Sequence, residues 1–349
     1  MFANAMQHNA MFYELDEITE MDLTPHLAQI QTGLNPQDTP VPACLGEYRI
    51  RRLLGRGGTA RVFLAERPSG FGFHRKVALK VASTHAQKGI YRELLIREAR
   101  IQSDLHHPAV PAVYELGQNH GLAYYAMEWI EGWTLSRCLR QCGPLPLSVC
   151  LDVAIQLCQI LQYFHGFGTA HPTEPLVHGD IKPANIMVDG FGRIHLIDFG
   201  IATMGAESAC AGRSFGTLAY MAPEQIMQEP LDGRTDQFAL GALLYELVTG
   251  QRLFPENTIK NMAMSRIQTL ATPLAKKGGW GFCTPLRALL QLLKQCVMVN
   301  PSDRFQNIEV LSTRLHKVQR RVRKDASLQT WIEHQIKQQT LDFDAPCAE

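Results

Sequence analysis

The stretch "LVHGDIKPANIMVDGFGRIHLIDFGIA", residues 176–202, decides both the fold and the chemistry. Asp180, Lys182 and Asn185 lie on one short loop, and Asp198 follows on the far side of a β-hairpin. A base, a cation and two metal-binding groups are what transfer of a γ-phosphoryl group requires, because positioning and charge neutralisation supply most of its catalysis. Any one of these residues has an ordinary structural explanation. The four in this order are not expected by chance.

Upstream, "YRIRRLLGRGGTARVFLAE", residues 48–66, alternates apolar positions around Ile50, Leu53 and Leu54, then at Val62 and Leu64. This reads as two strands joined by a glycine turn. Gly55, Gly57 and Gly58 let backbone N–H groups approach phosphate oxygens with no Cβ in the way. A glycine hairpin alone is more often a simple turn. No Gly-Lys-Ser/Thr follows, which excludes a Walker loop. The strand that follows, where a dinucleotide fingerprint needs a helix, favours a flap over nucleotide phosphates. In "HRKVALKVAS", residues 74–83, Val77, Leu79 and Val81 alternate with Ala78 and Lys80. A lysine inside an apolar strand needs an anionic partner, and Glu98 in the helical "LLIREARIQSDLHHP" is the candidate. "LAYYAMEWIEG", residues 122–132, is an apolar strand running into Gly132, suited to a hinge whose backbone bonds a flat heterocycle.

The rest of the chain sets bounds. With 349 residues, 46% hydrophobic and 19% charged, it is long enough for a large domain or two lobes. A formal net charge of +1 gives no bulk attraction to nucleic acid or membrane. No basic and apolar leader opens the sequence, and no uninterrupted apolar run approaches the roughly 18–20 residues of a membrane span. The nine cysteines form no CxxC pair, so they read as small buried hydrophobes in a reducing, cytoplasmic setting. Residues 1–46 hold no Lys or Arg but carry Glu14, Asp16, Glu17, Glu20, Asp22 and Asp38. Globular patterning runs over 47–316. Residues 317–349 read as a basic helix, rich in Arg320, Arg321, Arg323 and Lys324, with an acidic tail. The opposite charge of the two ends makes docking of the arm on that helix, or of a regulatory partner on either, an expectation to test.

Taken together, these motifs make residues 47–316 resemble the eukaryotic-like protein kinases, in particular their bacterial serine/threonine branch. The resemblance implies an α+β, two-lobed fold: a small β-rich N-lobe over about 47–130 and a larger helical C-lobe over about 131–316. It implies ATP in the cleft between the lobes, Mg²⁺ for which Mn²⁺ can stand in, and protein substrates with Ser/Thr hydroxyls. Leu54, Gly55, Gly57, Gly58 and Val62 would form the glycine-rich loop, with Ala60 in place of its third glycine. Lys80 would bind the α- and β-phosphates and pair with Glu98. Val62 and Ala78 would roof the adenine, with Met127 as gatekeeper and Glu128 to Ile130 as hinge. Asp180 would be the catalytic base, Lys182 the γ-phosphate contact, and Asn185 and Asp198 the metal ligands. "GTLAYMAPEQ" would close the activation segment, with Glu224 paired to Arg304 and Asp236 anchoring the catalytic loop. The competing readings are a pseudokinase scaffold, against which Lys80, Asp180 and Asp198 all stand, and a small-molecule phosphotransferase, against which "GTLAYMAPEQ" stands.

The sequence departs from the pattern in three places. "HPTEPL" lengthens the connection before the catalytic loop. Gln102 stands where an apolar residue often packs the helix of Glu98, so that helix is expected to be less firmly held. Gly179 stands where the family has an arginine, whose backbone fixes the loop to Asp236 and whose guanidinium takes a phosphorylated residue of the activation segment. Glycine keeps the N–H and loses only the second role, at a flexibility cost of about 0.5–1 kcal/mol. The expectation is an active enzyme whose switch does not need phosphate at Ser208 or Ser214.

Overall fold

The computed structural model of the chain describes residues 41–83, 88–167, 175–199, 203–204, 215–254, 284–322 and 326–341. Period-2 alternation builds its first lobe. Strands β1 (Cys44–Leu45), β2 (Tyr48–Arg56), β3 (Ala60–Pro68), β4 (His74–Ala82), β5 (Val113–Asn119) and β6 (Leu122–Glu128) form one antiparallel sheet. Their order is β1-β2-β3-β4-β6-β5. Val77, Leu79 and Val81 of β4 face one side with Phe63, Leu122 and Tyr124. Ala78 and Ala82 face the other with Ala60, Ala123, Tyr125 and Met127. Helix α1 (Lys88–Asp104) covers that second face through Leu95 and Ala99. Alternation therefore turns Lys80 toward the helix that carries Glu98.

The second lobe is mostly helical: β7 (Gly132–Thr134), α2 (Leu135–Cys142) and α3 (Leu147–Gly166) lead to β8 (Leu176–Val177). The hairpin β9 (Ile186–Asp189) and β10 (Ile194–Leu196) follows, then the short β11 (Thr203–Met204), which pairs with β8. Next come α4 (Pro223–Ile226), α5 (Gly233–Thr249), α6 (Thr284–Cys296), α7 (Ile308–Gln319) and α8 (Leu328–Lys337). Gly132, expected as a hinge residue, opens β7 against β9; a Cβ there would lie 2.3 Å from the Val188 carbonyl oxygen. Both lobes thus match the expected α+β architecture.

Helix α3 is the one described helix long and apolar enough to cross a membrane. The count of uninterrupted apolar residues misses it because Ser148, Asp152, Gln156, Gln159 and Gln162 punctuate it. It lies in the core of the lobe, with Val149, Leu151, Leu157, Leu161 and Phe164 buried. Helix α7 runs through the expected boundary at 316 to Gln319, and Val318 joins the same core. Leu328, Trp331, Ile332 and Leu341 also pack there. The acidic residues of 1–40, together with Arg323 and Lys324, lie outside the described residues, as does most of "HPTEPL". Cys138, Cys150, Cys158 and Cys296 are buried free thiols, as the composition suggests. Burial pushes their pKa values up, which leaves them unreactive.

Candidate active site

Strand register lines up the N-lobe half of the site. Gly55 pairs with Val62, Val62 with Lys80, and Lys80 with Tyr125, one row across four strands. Ala60 is buried against Ala82, so its methyl group anchors the end of the glycine turn. Gly57 N–H donates to the Ala60 carbonyl at 2.8 Å, which closes the turn. Val62, Ala78 and Met127 share one apolar cluster, where a flat ring would need them. Ile130 is buried and Leu54 half-buried, while Gly57 and Gly58 are exposed. Glu128 N–H is occupied by the Ala112 carbonyl at 2.9 Å.

The charges meet at Lys80, which is 6% exposed. Its Nζ donates to Glu98 Oε1 at 2.5 Å and to Asp198 Oδ1 at 3.1 Å. Burial works against the ammonium, but the Asp198 and Glu98 carboxylates outweigh it and raise the Lys80 pKa. Burial raises the Glu98 carboxyl pKa, an effect opposed by Lys80 and by the Tyr125 hydroxyl, which donates at 2.8 Å. Phe199 N–H also donates to Glu98, at 3.2 Å, which ties helix α1 to the residue after Asp198.

Gln102 does not loosen this helix, contrary to the expectation from sequence. Its Nε2 donates to the Pro111 carbonyl at 2.7 Å, and its Oε1 lies 3.3 Å from the Tyr125 hydroxyl. The single Tyr125 proton goes to Glu98, at the shorter distance, so the Pro111 bond is what anchors Gln102 and its helix. Tyr125, which completes the network, carried no signal in the sequence beyond its apolar strand.

The C-lobe half is the loop 178–185. Lys182 Nζ donates to Asp180 Oδ2 at 2.8 Å. Asn185 Nδ2 donates to the same Oδ2 at 2.8 Å and to the Asp180 carbonyl at 3.0 Å. Beneath them sits Asp236 at 0% exposure, accepting from Gly179 N–H at 2.8 Å, His178 N–H at 3.1 Å and His165 Nε2 at 2.9 Å. Burial opposes its ionisation, but the bonds from His165 and Gly179 prevail and hold its pKa below the usual carboxylate range. His178 is buried against Phe164 and Phe199, which keeps the imidazole neutral, and its Nδ1 accepts from Asp180 N–H at 3.2 Å.

Gly179 has φ of +71°, a region that costs other L-residues about 1–2 kcal/mol. The flexibility cost expected for a glycine here is therefore offset, because the backbone conformation itself favours one. Asp198 also has a positive φ, of 81°, and a side chain 41% exposed. Strain of that kind in a non-glycine residue is held in place by its surroundings, here the Lys80 bond. Below the loop, Arg304 makes a bidentate bridge to Glu224, at 2.6 and 2.8 Å, with Thr235 Oγ1 donating to Glu224 at 2.9 Å.

The described structure therefore gathers Lys80, Glu98 and Asp198 at one point and Asp180, Lys182 and Asn185 at another. The side chains of Ser208, Ser214 and Thr217 lie outside the described residues. The protein kinase domain family model matches residues 48–315. The chain is 31% identical over 267 residues to the serine/threonine-protein kinase PrkC of Bacillus subtilis, covering 76% of this chain and 39% of that protein. It is 30% identical over 280 residues to the serine/threonine-protein kinase PknB of Mycobacterium tuberculosis, covering 78% and 42%. PknB of Mycobacterium leprae matches at 30% over 288 residues, 80% and 44%. The chain spans about two fifths of the length of these relatives. With three quarters of its length matched by the family model and both halves of the cleft assembled, the chain belongs to the protein kinase domain family.

Proposed function

We propose that this chain transfers the γ-phosphoryl group of ATP to serine and threonine hydroxyls of proteins. The observation that carries the reading is the convergence of Lys182 and Asn185 on one carboxylate oxygen of Asp180, together with a buried lysine bonded to two acids. Lys80, kept charged, binds phosphate oxygens of ATP, and Glu98 fixes its position. Asp180 accepts the proton of the incoming hydroxyl as the new phosphorus–oxygen bond forms and the bond to the β-phosphate oxygen breaks. Lys182 lies beside that carboxylate, where it neutralises charge on the transferred group.

Asn185 and Asp198 fit a divalent cation. Asn185 turns its Nδ2 to two oxygens of Asp180, which leaves Oδ1 as its outward donor, and Asp198 offers a partly exposed carboxylate. Among the described residues no group of three His, Cys, Asp or Glu could hold a metal alone. Mg²⁺ suits such a sparse oxygen pair, because it draws its remaining ligands from water and substrate phosphates. When bound, it would neutralise charge on the β- and γ-phosphates.

The test is incubation with labelled ATP, Mg²⁺ and a basic model protein, followed by mass spectrometry of the phosphosites. Phosphoserine and phosphothreonine are expected. Predominant phosphotyrosine would overturn the acceptor class, and absence of transfer would overturn the reading as an enzyme.

A further inference from the structure

The peptide unit that joins Gly179 to Asp180 is held from both sides. On one side, Gly179 N–H donates to Asp236. On the other, the Gly179 carbonyl accepts from Gln225 Nε2 at 2.9 Å. The same amide accepts from Ala222 N–H through Oε1 at 3.0 Å. Gln225 is 2% exposed, and both of these bonds are within good range. Ala222 is 0% exposed and directly precedes α4 in "GTLAYMAPEQ", the segment next to Glu224 and its Arg304 bridge. One side chain therefore bolts the backbone just before the candidate base to the end of the activation segment.

On the reading of the chain as a protein kinase, we infer that Gln225 is a positioning residue. It holds the Asp180 loop in register with the segment that would receive the peptide, with no charge on residue 179. A side-chain amide can do this because it offers a donor to the carbonyl and an acceptor to the Ala222 N–H at once. A carboxylate in the same place would set an acceptor against the Gly179 carbonyl and lose the bond. A protonated carboxyl group, with its own O–H and C=O, restores both. That difference gives the inference a chemical signature that a general packing role lacks.

The experiment compares wild type, Gln225→Glu and Gln225→Met in steady-state phosphorylation of a basic model protein between pH 5.5 and 8.5. Nucleotide affinity and melting temperature are measured alongside. The charged groups bonded to the same elements are Glu224 and Arg304, already paired, and Asp236, which takes Gly179 N–H and His165; His178 and Asp180 flank Gly179 in the chain. Each variant is referred to wild type at the same pH. At pH 8, Gln225→Glu is expected to lose about tenfold or more in kcat with the KM for ATP unchanged, a loss of about 1.4 kcal/mol. Relative to wild type, its kcat recovers as pH falls and the buried carboxyl takes up a proton. Gln225→Met, which keeps the length without a donor, loses a similar amount at every pH; it alone carries the kcat test if Gln225→Glu does not fold. Retention of more than half of wild-type kcat by either variant at pH 8 overturns the inference. So does a loss in Gln225→Glu that ignores pH and tracks the melting temperature. A wild type that transfers no phosphate refutes instead the enzyme reading on which the inference rests.

Discussion

The two walls of the cleft are held by different means. On the N-lobe wall, side chains do the holding: Lys80 and Tyr125 both donate to Glu98, and Gln102 on the same helix donates to the Pro111 carbonyl. On the C-lobe wall, the loop at 178–180 is held largely through its backbone, with the N–H groups of residues 178, 179 and 180 and the carbonyl of residue 179 all engaged. The first arrangement depends on the identity of each residue. The second depends on φ and on the acceptors around the loop, so a residue with no side chain can occupy its centre. That contrast explains how a chain with glycine before Asp180 keeps a complete site.

Substitutions can break the contrast, beginning with the one of largest effect. Asp180→Asn should lower phosphoryl transfer about 10²–10⁴-fold, the usual contribution of a positioned base, with nucleotide affinity nearly intact. Lys80→Met, on the other wall, should weaken both binding and transfer. Initial-rate kinetics together with nucleotide titration separate the two, and near-normal turnover in Asp180→Asn at saturating ATP would refute the assignment. Arg304→Met leaves the Glu224 carboxylate buried without its cation and with the Thr235 hydroxyl still donating to it, so unfolding stability should fall by about 3–5 kcal/mol. Denaturant titration measures this, and a loss below about 1 kcal/mol would show that the bridge is not what holds the platform under the loop.

Smaller effects sharpen the comparison. Tyr125→Phe removes a donor from a buried carboxylate and should cost about 1.5–3 kcal/mol in stability. If the N-lobe wall works through side chains, the same variant raises the KM for ATP, whereas an unchanged KM would place Tyr125 in packing alone. Gly179→Ala keeps the N–H and carbonyl but forces a Cβ into the left-handed region, a cost of about 1–2 kcal/mol. Thermal unfolding should register it, and an unaltered melting temperature would show that φ is not what selects glycine there.

Much of this was legible in the sequence. The alternation in β4 and the order Asp180, Lys182, Asn185, Asp198 are local patterns, and local patterns survive in one dimension. What stayed hidden were contacts made across long stretches of chain. Gln102 looks like a defect until the fold brings it to Pro111 and Tyr125. Gln225 is an ordinary helix residue until its amide meets Gly179, 46 residues away. The backbone angle of Gly179 could not be read either, because a glycine is compatible with either sign of φ. The basic run around 317–324 likewise gave no sign that Leu328, Trp331 and Ile332 return to the core.

With glycine at residue 179, this site is expected to work without a phosphate on its activation segment. The direct measurement is the initial rate of transfer to an exogenous basic protein by phosphatase-treated wild type and by the Ser208→Ala/Ser214→Ala double variant, each against untreated wild type. Rates within tenfold of untreated protein are the expected result. A drop of more than tenfold in either preparation, about 1.4 kcal/mol of transition-state stabilisation, would contradict it.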